Sequence, residues 1–382
     1  VFHAIVPPYL LEQLERSAAD PSVRARIRQS LRHDAVLRTR PAAGRERVTA
    51  AGGRKREVYD AENGTDLPGT LARSEGDDPV QDQTVNQAYD GTGATWTLFK
   101  ECFGRDSIDG AGLVLTSTVH YDRGYANAFW DGAQMVFGDG DGEIFGHFTS
   151  SIDVTGHELT HGVTQYTANL TYEGQSGALN ESISDVFGSL AKQHALGQTA
   201  AEADWLIGAG LFLPGVQGVA LRSMKAPGTA YDDPRLGKDP QPADMSGYVE
   251  TDDDNGGVHI NSGIPNRAFY LAATEIGGNA YDDAGKIWYA TLTSGDLPES
   301  ADFKTFAEAT RAAARELFGD DSAHLAAVTK AWQTVGVLDT TTEPAPTESE
   351  LLSAAQTGLQ PSKPPSPPPP DRETSAGPTP AT

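Results

Sequence analysis

The spacing of hydrophobic positions changes character along the 382-residue chain. Near the start, "IVPPYL" carries paired prolines that predict an extended backbone. The stretch "LLEQLERSAADPSVRARIRQSLRHDAVL" then repeats apolar residues at helical spacing, with a break at Asp20-Pro21. From about Glu57 to Phe148 the pattern is of short strands and turns. "LVLTSTVHYD" and "NAFWDGAQMVFGDGDG" mix β-branched and aromatic residues with glycine. From Ser151 the period is helical again, and 152–168, 177–196, 258–277, 302–318 and 321–335 read as helices. A strand-rich half followed by a helical half is an α+β arrangement. After Asp339 the chain turns to "TEPAPTESE" and "PSKPPSPPPPDRETSAGPTPAT", a composition that cannot build a core and reads as a disordered spacer.

Charge divides the chain differently. Through Arg56 there are twelve Lys or Arg against five Asp or Glu, a net of +7, while the remainder carries seventeen against forty-eight, a net of −31. Such an acidic body repels phosphates, which excludes a nucleic-acid role. Opposite signs favour docking of the basic head on the body. Between them, "RPAAGRERVTAAGGRKRE" has little to bury and reads as a linker and a site for cleavage. No apolar run is long enough to span a bilayer, and no signal-peptide pattern is legible at the start. Cys102 is the only cysteine, so no intramolecular disulfide forms, and it reads as a small apolar core residue.

Candidate chemistry concentrates in "DVTGHELTHGVTQY". His157 and His161 lie four apart, on one face of a helix, where both rings can reach the same point. Glu158 is rotated about 100° from His157, too far for an equal ligand but near enough to touch a metal-bound water. An amphipathic helix with incidental polar residues is the alternative. A catalytic zinc needs a third protein ligand, and "GQSGALNESISDVFGSL" offers Glu181 on the next long helix. Asp185, one turn further, is placed to orient a ligand histidine through its other ring nitrogen. In "DNGGVHINSGIPN", His259 could polarise a developing oxyanion, with Asp254 holding its tautomer.

"VTGHELTHGVT", "GALNESISD", "NAFWDGAQMVFGDGDG", "LRSM" and "DNGGVHINSG" together resemble the thermolysin family of neutral zinc endopeptidases from about Val58 to Val337. The head, with "PPYL", resembles the short propeptide of the protealysin-like branch. The resemblance implies a two-lobed fold with the zinc cleft between a β-rich and a helical lobe. Its segments would be a propeptide (1–47), a β-rich lobe that includes the first metal helix (48–168), a helical lobe (169–338) and a Pro-rich tail (339–382). It implies one zinc held by His157, His161 and Glu181, with Asp185 behind His157 and Glu158 as general base to the zinc-bound water. His259 and Tyr172 match the oxyanion donors, with Asp254 behind His259. Asn127, the Ala128 carbonyl and Arg222 match groups that align the substrate backbone. Phe145, Val154 and Leu221 match the walls of a pocket for a large apolar residue after the scissile bond. A zinc exopeptidase and a silent zinc-binding protein are the rival readings, and intact Glu158, Tyr172 and His259 count against the second.

The sequence departs from the family at its paired calcium site. Asp153 and Asp204 match two of those ligands, but Lys192, Leu206 and Ala209 occupy other matching positions and Val219 replaces a further acidic one. Two divalent ions cannot persist with so few oxygens, and the Lys192 ammonium is expected to stand in for calcium between Asp153 and Asp204. The Asp139/Asp141 loop is calcium-like in composition but matches a tight turn of the family. Further expectations are a monomer acting on proteins and peptides, inhibited by its own propeptide until cleavage at Arg47-Val48. No membrane partner is expected, and family habit implies secretion.

Overall fold

The computed structural model describes residues 2–38 and 52–340. The head forms a short strand, β1 (His3–Ala4), and two helices, α1 (Pro8–Ser17) and α2 (Pro21–Arg38). Pro8 opens α1, where its missing N–H removes no hydrogen bond, so the second proline starts the helix instead of extending the strand. Pro21 likewise opens α2, which explains the break in the helical pattern.

β2 (Arg56–Asp60), β3 (Thr70–Ser74), β4 (Leu115–Val119), β5 (Ala128–Trp130) and β6 (Met135–Phe137) join β1 in one mixed sheet of order β1-β5-β6-β4-β2-β3. The head therefore supplies an edge strand, antiparallel to β5 with His3 opposite Trp130 and Ala4 opposite Phe129. One element departs from the strand-and-turn expectation: α3 (Gln83–Phe103), a long helix inside the strand-rich half. Its four threonines and two glycines hide it, because such residues are poor helix formers. Local devices and packing override that preference. Asp82 caps its start, Gly104 ends it in the left-handed conformation, and Val85, Ala88, Leu98 and Phe99 are buried in the core.

The helical half comprises α4 (Ile152–Gln165), α5 (Gly174–Leu196), α6 (Asp254–Asn261), α7 (Gly263–Ile276), α8 (Asp283–Thr293), α9 (Phe303–Phe318) and α10 (Ala323–Thr334). The helix α8 lies between the expected ones. α4 and α5 are buried along nearly their whole lengths. Their close approach depends on two glycines: a Cβ on Gly156 would lie 2.9 Å from the Gly188 Cα, and one on Gly188 would lie 2.5 Å from the Asp153 carbonyl. Among the described residues no helix is long and apolar enough to cross a membrane. Cys102 is half-buried, and burial pushes its thiol up to about 11.

The GDGDG segment is tied from within through one carboxylate oxygen. The Asp141 carboxylate accepts from the backbone N–H groups of Glu143, Ile144 and Phe145, closing the turn. Asp139 accepts from His120 at 2.9 Å, and Asp82 takes the other nitrogen of that ring.

Candidate metal centre and its docked strand

The face shared by α4 and α5 is polar at its centre. His157 and His161 are 0% and 1% exposed, and Glu181 is fully buried. His157 Nδ1–H donates to Asp185 at 2.7 Å and His161 Nδ1–H donates to Asn180 at 2.8 Å. Those partners turn both Nε2 atoms inward, 3.1 Å apart. Glu181 completes the triangle at 3.4 Å from each. Ligands about 2.0–2.1 Å from a tetrahedral ion stand roughly 3.3 Å from one another, so the three residues fit a zinc ion. The buried Glu181 Oε2 has no hydrogen-bond partner, as expected of an oxygen reserved for a cation.

Electrostatics agrees with the geometry. Burial opposes ionisation of Glu181, yet His259, His161 and His157 hold its carboxyl well below the usual range. Burial also disfavours charge on His157, but Asp185 and Glu181 lift it to about 9. His161 falls to about 3 through burial and its histidine neighbour. Cation binding must displace the His157 proton, since a ligand imidazole is neutral.

Asp185 does more than orient His157. It accepts from Arg222 at 2.8 Å through both its oxygens and from Asn266 at 2.8 Å, and Arg222 leads the effects that bring it to about 2 against burial. Glu158 points beside the histidine pair, with Oε2 accepting from the Trp130 N–H at 3.0 Å and Oε1 buried without a partner. Burial pushes its carboxyl well above the usual range.

His259 enters from α6, whose start is a left-handed turn: Asp254 and Asn255 have φ of 52° and 53°, followed by Gly256 and Gly257. Local strain of this kind collects at functional sites. The turn lets Asp254 accept from His259 Nδ1–H at 2.7 Å, while Nε2 faces the Ala4 carbonyl at 3.1 Å. With acceptors on both sides the ring suits an imidazolium, and despite burial Asp254 raises its pKa. The Tyr172 hydroxyl donates to Glu181 and lies 3.4 Å from His259 Nε2.

The remaining expected residues gather on the head. The Ile5 N–H donates to the Ala128 carbonyl at 3.1 Å. Arg222 donates to the Ile5 carbonyl at 3.0 Å, and Asn127 brackets Val6 by accepting from its N–H at 2.9 Å and donating to its carbonyl at 3.1 Å. Phe145, Val154 and Leu221 are buried in the same apolar cluster as Ile5 and Val6. At the far end of the α4–α5 pair, Lys192 Nζ donates to Asp153 Oδ2 at 2.7 Å and to the Leu206 carbonyl at 2.8 Å, and lies 2.9 Å from Asp204 Oδ1.

Besides Asn266, three participants escaped the sequence reading. Asn180 orients His161, and its place directly before Glu181 was the only available signal. His3 and Asp34, both in the head, carry no local motif. The head also docks differently from a simple charge match. Its arginine ion pairs Arg16–Glu12 and Arg28–Glu15 are internal. Among the described residues it is held by the strand, by apolar burial, by Gln29 and His33 against Asp122 at 2.7 and 3.1 Å, and by Asp34, which accepts from the Tyr125 hydroxyl at 2.5 Å and from Asn127 at 3.0 Å.

A mixed sheet followed by helices, with a two-histidine, one-glutamate centre flanked by a carboxylate with one unpaired oxygen, has the donor set of a zinc metallopeptidase. Comparison with known proteins gives the family. Residues 39–165 match the thermolysin metallopeptidase catalytic domain and residues 168–337 the thermolysin metallopeptidase alpha-helical domain. The chain is 50% identical over 336 residues to an extracellular metalloprotease of Pectobacterium carotovorum subsp. carotovorum, covering 87% of this chain and 96% of that one. It is 42% identical over 290 residues to a thermolysin of Alicyclobacillus acidocaldarius subsp. acidocaldarius, covering 73% of this chain and 50% of that one. The solved structure of the precursor of protealysin, a metalloproteinase from Serratia proteamaculans, superposes with a TM-score of 0.81 at 53% identity, over 88% of this chain and all of that one. The chain belongs to the thermolysin metallopeptidase family and is a protealysin-like member of it.

Proposed function

We propose that the chain is a self-inhibited endopeptidase precursor that cuts peptide bonds before large apolar residues, with Glu158 as its general base. One observation carries this reading. The groups expected to align a substrate backbone, Asn127, the Ala128 carbonyl and Arg222, all hold residues 5 and 6 of the head, and His259 faces the Ala4 carbonyl. The head thus lies along the cleft as a substrate would, adding a strand to β5. It places Ala4–Ile5 where the scissile bond belongs and an isoleucine where the large apolar residue belongs.

The chemistry follows from the side chains. Zinc, when held by His157, His161 and Glu181, supplies the Lewis acidity that brings a water's pKa from 15.7 to about 7 and polarises a peptide carbonyl. Glu158, anchored at one oxygen by Trp130 and unpaired at the other, accepts the proton of the attacking water. Its raised pKa suits it to deliver that proton to the departing amine. Tyr172 and His259 donate to the oxyanion, where losing one donor typically lowers turnover by about 10²–10³. Arg222, Asn127 and the Ala128 carbonyl fix the backbone, and Phe145, Val154 and Leu221 line the apolar pocket.

Residues 1–47 act as the inhibitory propeptide, and 48–168 and 169–338 form the two lobes. The maturation bond Arg47-Val48 and the tail beyond Thr340 lie outside the described residues. The Lys192 ammonium replaces calcium between Asp153 and Asp204, and the enzyme acts outside the cell as a monomer. The Pectobacterium relative is described as extracellular, which supports the location.

The test is incubation of the precursor with zinc and a peptide bearing Leu or Phe after the scissile bond, with and without o-phenanthroline. Shortening to a start near Val48 together with chelator-sensitive cleavage on the amino side of Leu or Phe is expected. A chain that binds zinc, loses the head and still leaves the peptide intact would overturn the reading.

A further inference from the structure

The head brings one residue to the metal centre that none of the expected roles uses. His3 is 3% exposed, and its ring lies flat on that of His161, with centroids 4.1 Å apart and planes at 12°. Its other neighbour is Tyr172, edge-on at 4.4 Å. A ligand atom of His3, one of His161 and one of Glu181 all lie within 4.8 Å of one another. The buried Nδ1 of His3 has no hydrogen-bond partner. A buried donor or acceptor left unpaired costs about 1–3 kcal/mol, and an apolar side chain could stack on His161 without that loss.

We propose that His3 is a fourth protein ligand of the zinc in the latent precursor, closing the position that a reacting water would need. The proposal rests on the function proposed above, in that it takes zinc at His157, His161 and Glu181 and the head as an inhibitor. Two atoms bound to one ion at about 2.0–2.1 Å can stand no more than roughly 4.2 Å apart, and each ligand ring must hold the ion in its own plane, so His3 turns out of its stack on His161 when it takes the metal. Catalytic zinc keeps one position open and structural zinc keeps none. His3 therefore converts a catalytic set into a closed one for as long as β1 is paired with β5. The strand that presents Ala4–Ile5 along the cleft also carries the group that excludes water from that bond. Removal of the head reopens the position, with no rearrangement of the other three ligands.

X-ray absorption at the zinc edge of the full-length precursor, carried as Glu158→Gln to prevent processing, counts the imidazoles directly. Three histidine ligands are expected. Zinc bound with two would overturn the role of His3 while leaving the enzyme reading intact, and a chain that takes up no zinc would overturn both. The second measurement uses the cobalt(II)-loaded chain and adds His3→Phe, which keeps a buried ring of similar size and removes the nitrogen. The visible spectrum is expected to change, and release of cobalt to a chelator is expected to quicken by at least about 10-fold, the size that loss of even an outer hydrogen-bond partner reaches. Identical spectra and release rates, with amide protection of α1 and α2 showing the head still docked, would overturn the proposal.

Discussion

Two polar clusters lie along the single contact between α4 and α5, and they treat buried carboxylates in opposite ways. At the start of α4, Asp153 is fully satisfied: Oδ1 accepts from Ser151 and from the Gly208 N–H, and Oδ2 accepts from Lys192. Further along, Glu181 Oε2 and Glu158 Oε1 are buried and have no hydrogen-bond partner. A buried carboxylate must be offset by a cation or by donors, because desolvation alone is too costly. The first cluster supplies the cation from the chain, whereas the second leaves its lone pairs for an ion and a water from solution. His120, held between Asp82 and Asp139 and raised to about 9 chiefly by Asp139, belongs with the first kind. Between these two clusters, the unpaired oxygens lie at the proposed site of action and the paired ones make a structural tie.

The contrast can be broken most severely at Glu158. Glu158→Gln keeps the three metal ligands and removes the base, so kcat/KM, measured after an added protease has removed the head from variant and parent alike, should fall by about 10²–10⁴ at unchanged zinc content. Activity near the parent value, normalised to zinc, would show that the unpaired oxygen has no chemical task. In the other cluster, Lys192→Met leaves Asp153 buried without its cation, a loss of about 3–5 kcal/mol that urea unfolding will read. A loss below about 1 kcal/mol would mean that the ammonium is incidental.

Asp34 sharpens the comparison, because it is buried with neutral donors only, and burial raises it from 3.8 to about 6. Its docked pKa lies above its free one, so its contribution to docking is complete below about pH 4 and is lost as pH rises through about 6. Hydrogen exchange in α1 and α2 should show the head opening more easily by about 3 kcal/mol at pH 7.5 than at pH 4. Asp34→Asn should flatten that dependence, and a dependence of opposite sign would remove Asp34 from the account. The smallest expected effect is none. Calcium chelation that spares zinc should leave the melting temperature unchanged, and a large fall would restore calcium to the place assigned to Lys192.

The helices α4, α5, α9 and α10 were legible because their apolar residues recur at the helical period. α3 was not, since its threonines and glycines conceal a helix that Asp82, Gly104 and core packing stabilise. His157, Glu158 and His161 could be read as a group because a helix places residues four apart on one face. Glu181 and Asp185 could be read from the next helix for the same reason. Asn180 and Asn266 could not, because nothing local tells an orienting amide from an ordinary polar residue.

The sequence alone determined what depends on neighbours along the chain: the helical period, the ligand spacing, and the lysine among former calcium positions. The tertiary structure alone decided which distant groups share a charge or a lone pair. His3 stacks on His161, Ile5 is held by Arg222, and Asp34 closes on Tyr125. No periodicity encodes such contacts, since each depends on a few ångströms between segments that meet only when β1 pairs with β5 and the glycines of α4 and α5 let their helices touch.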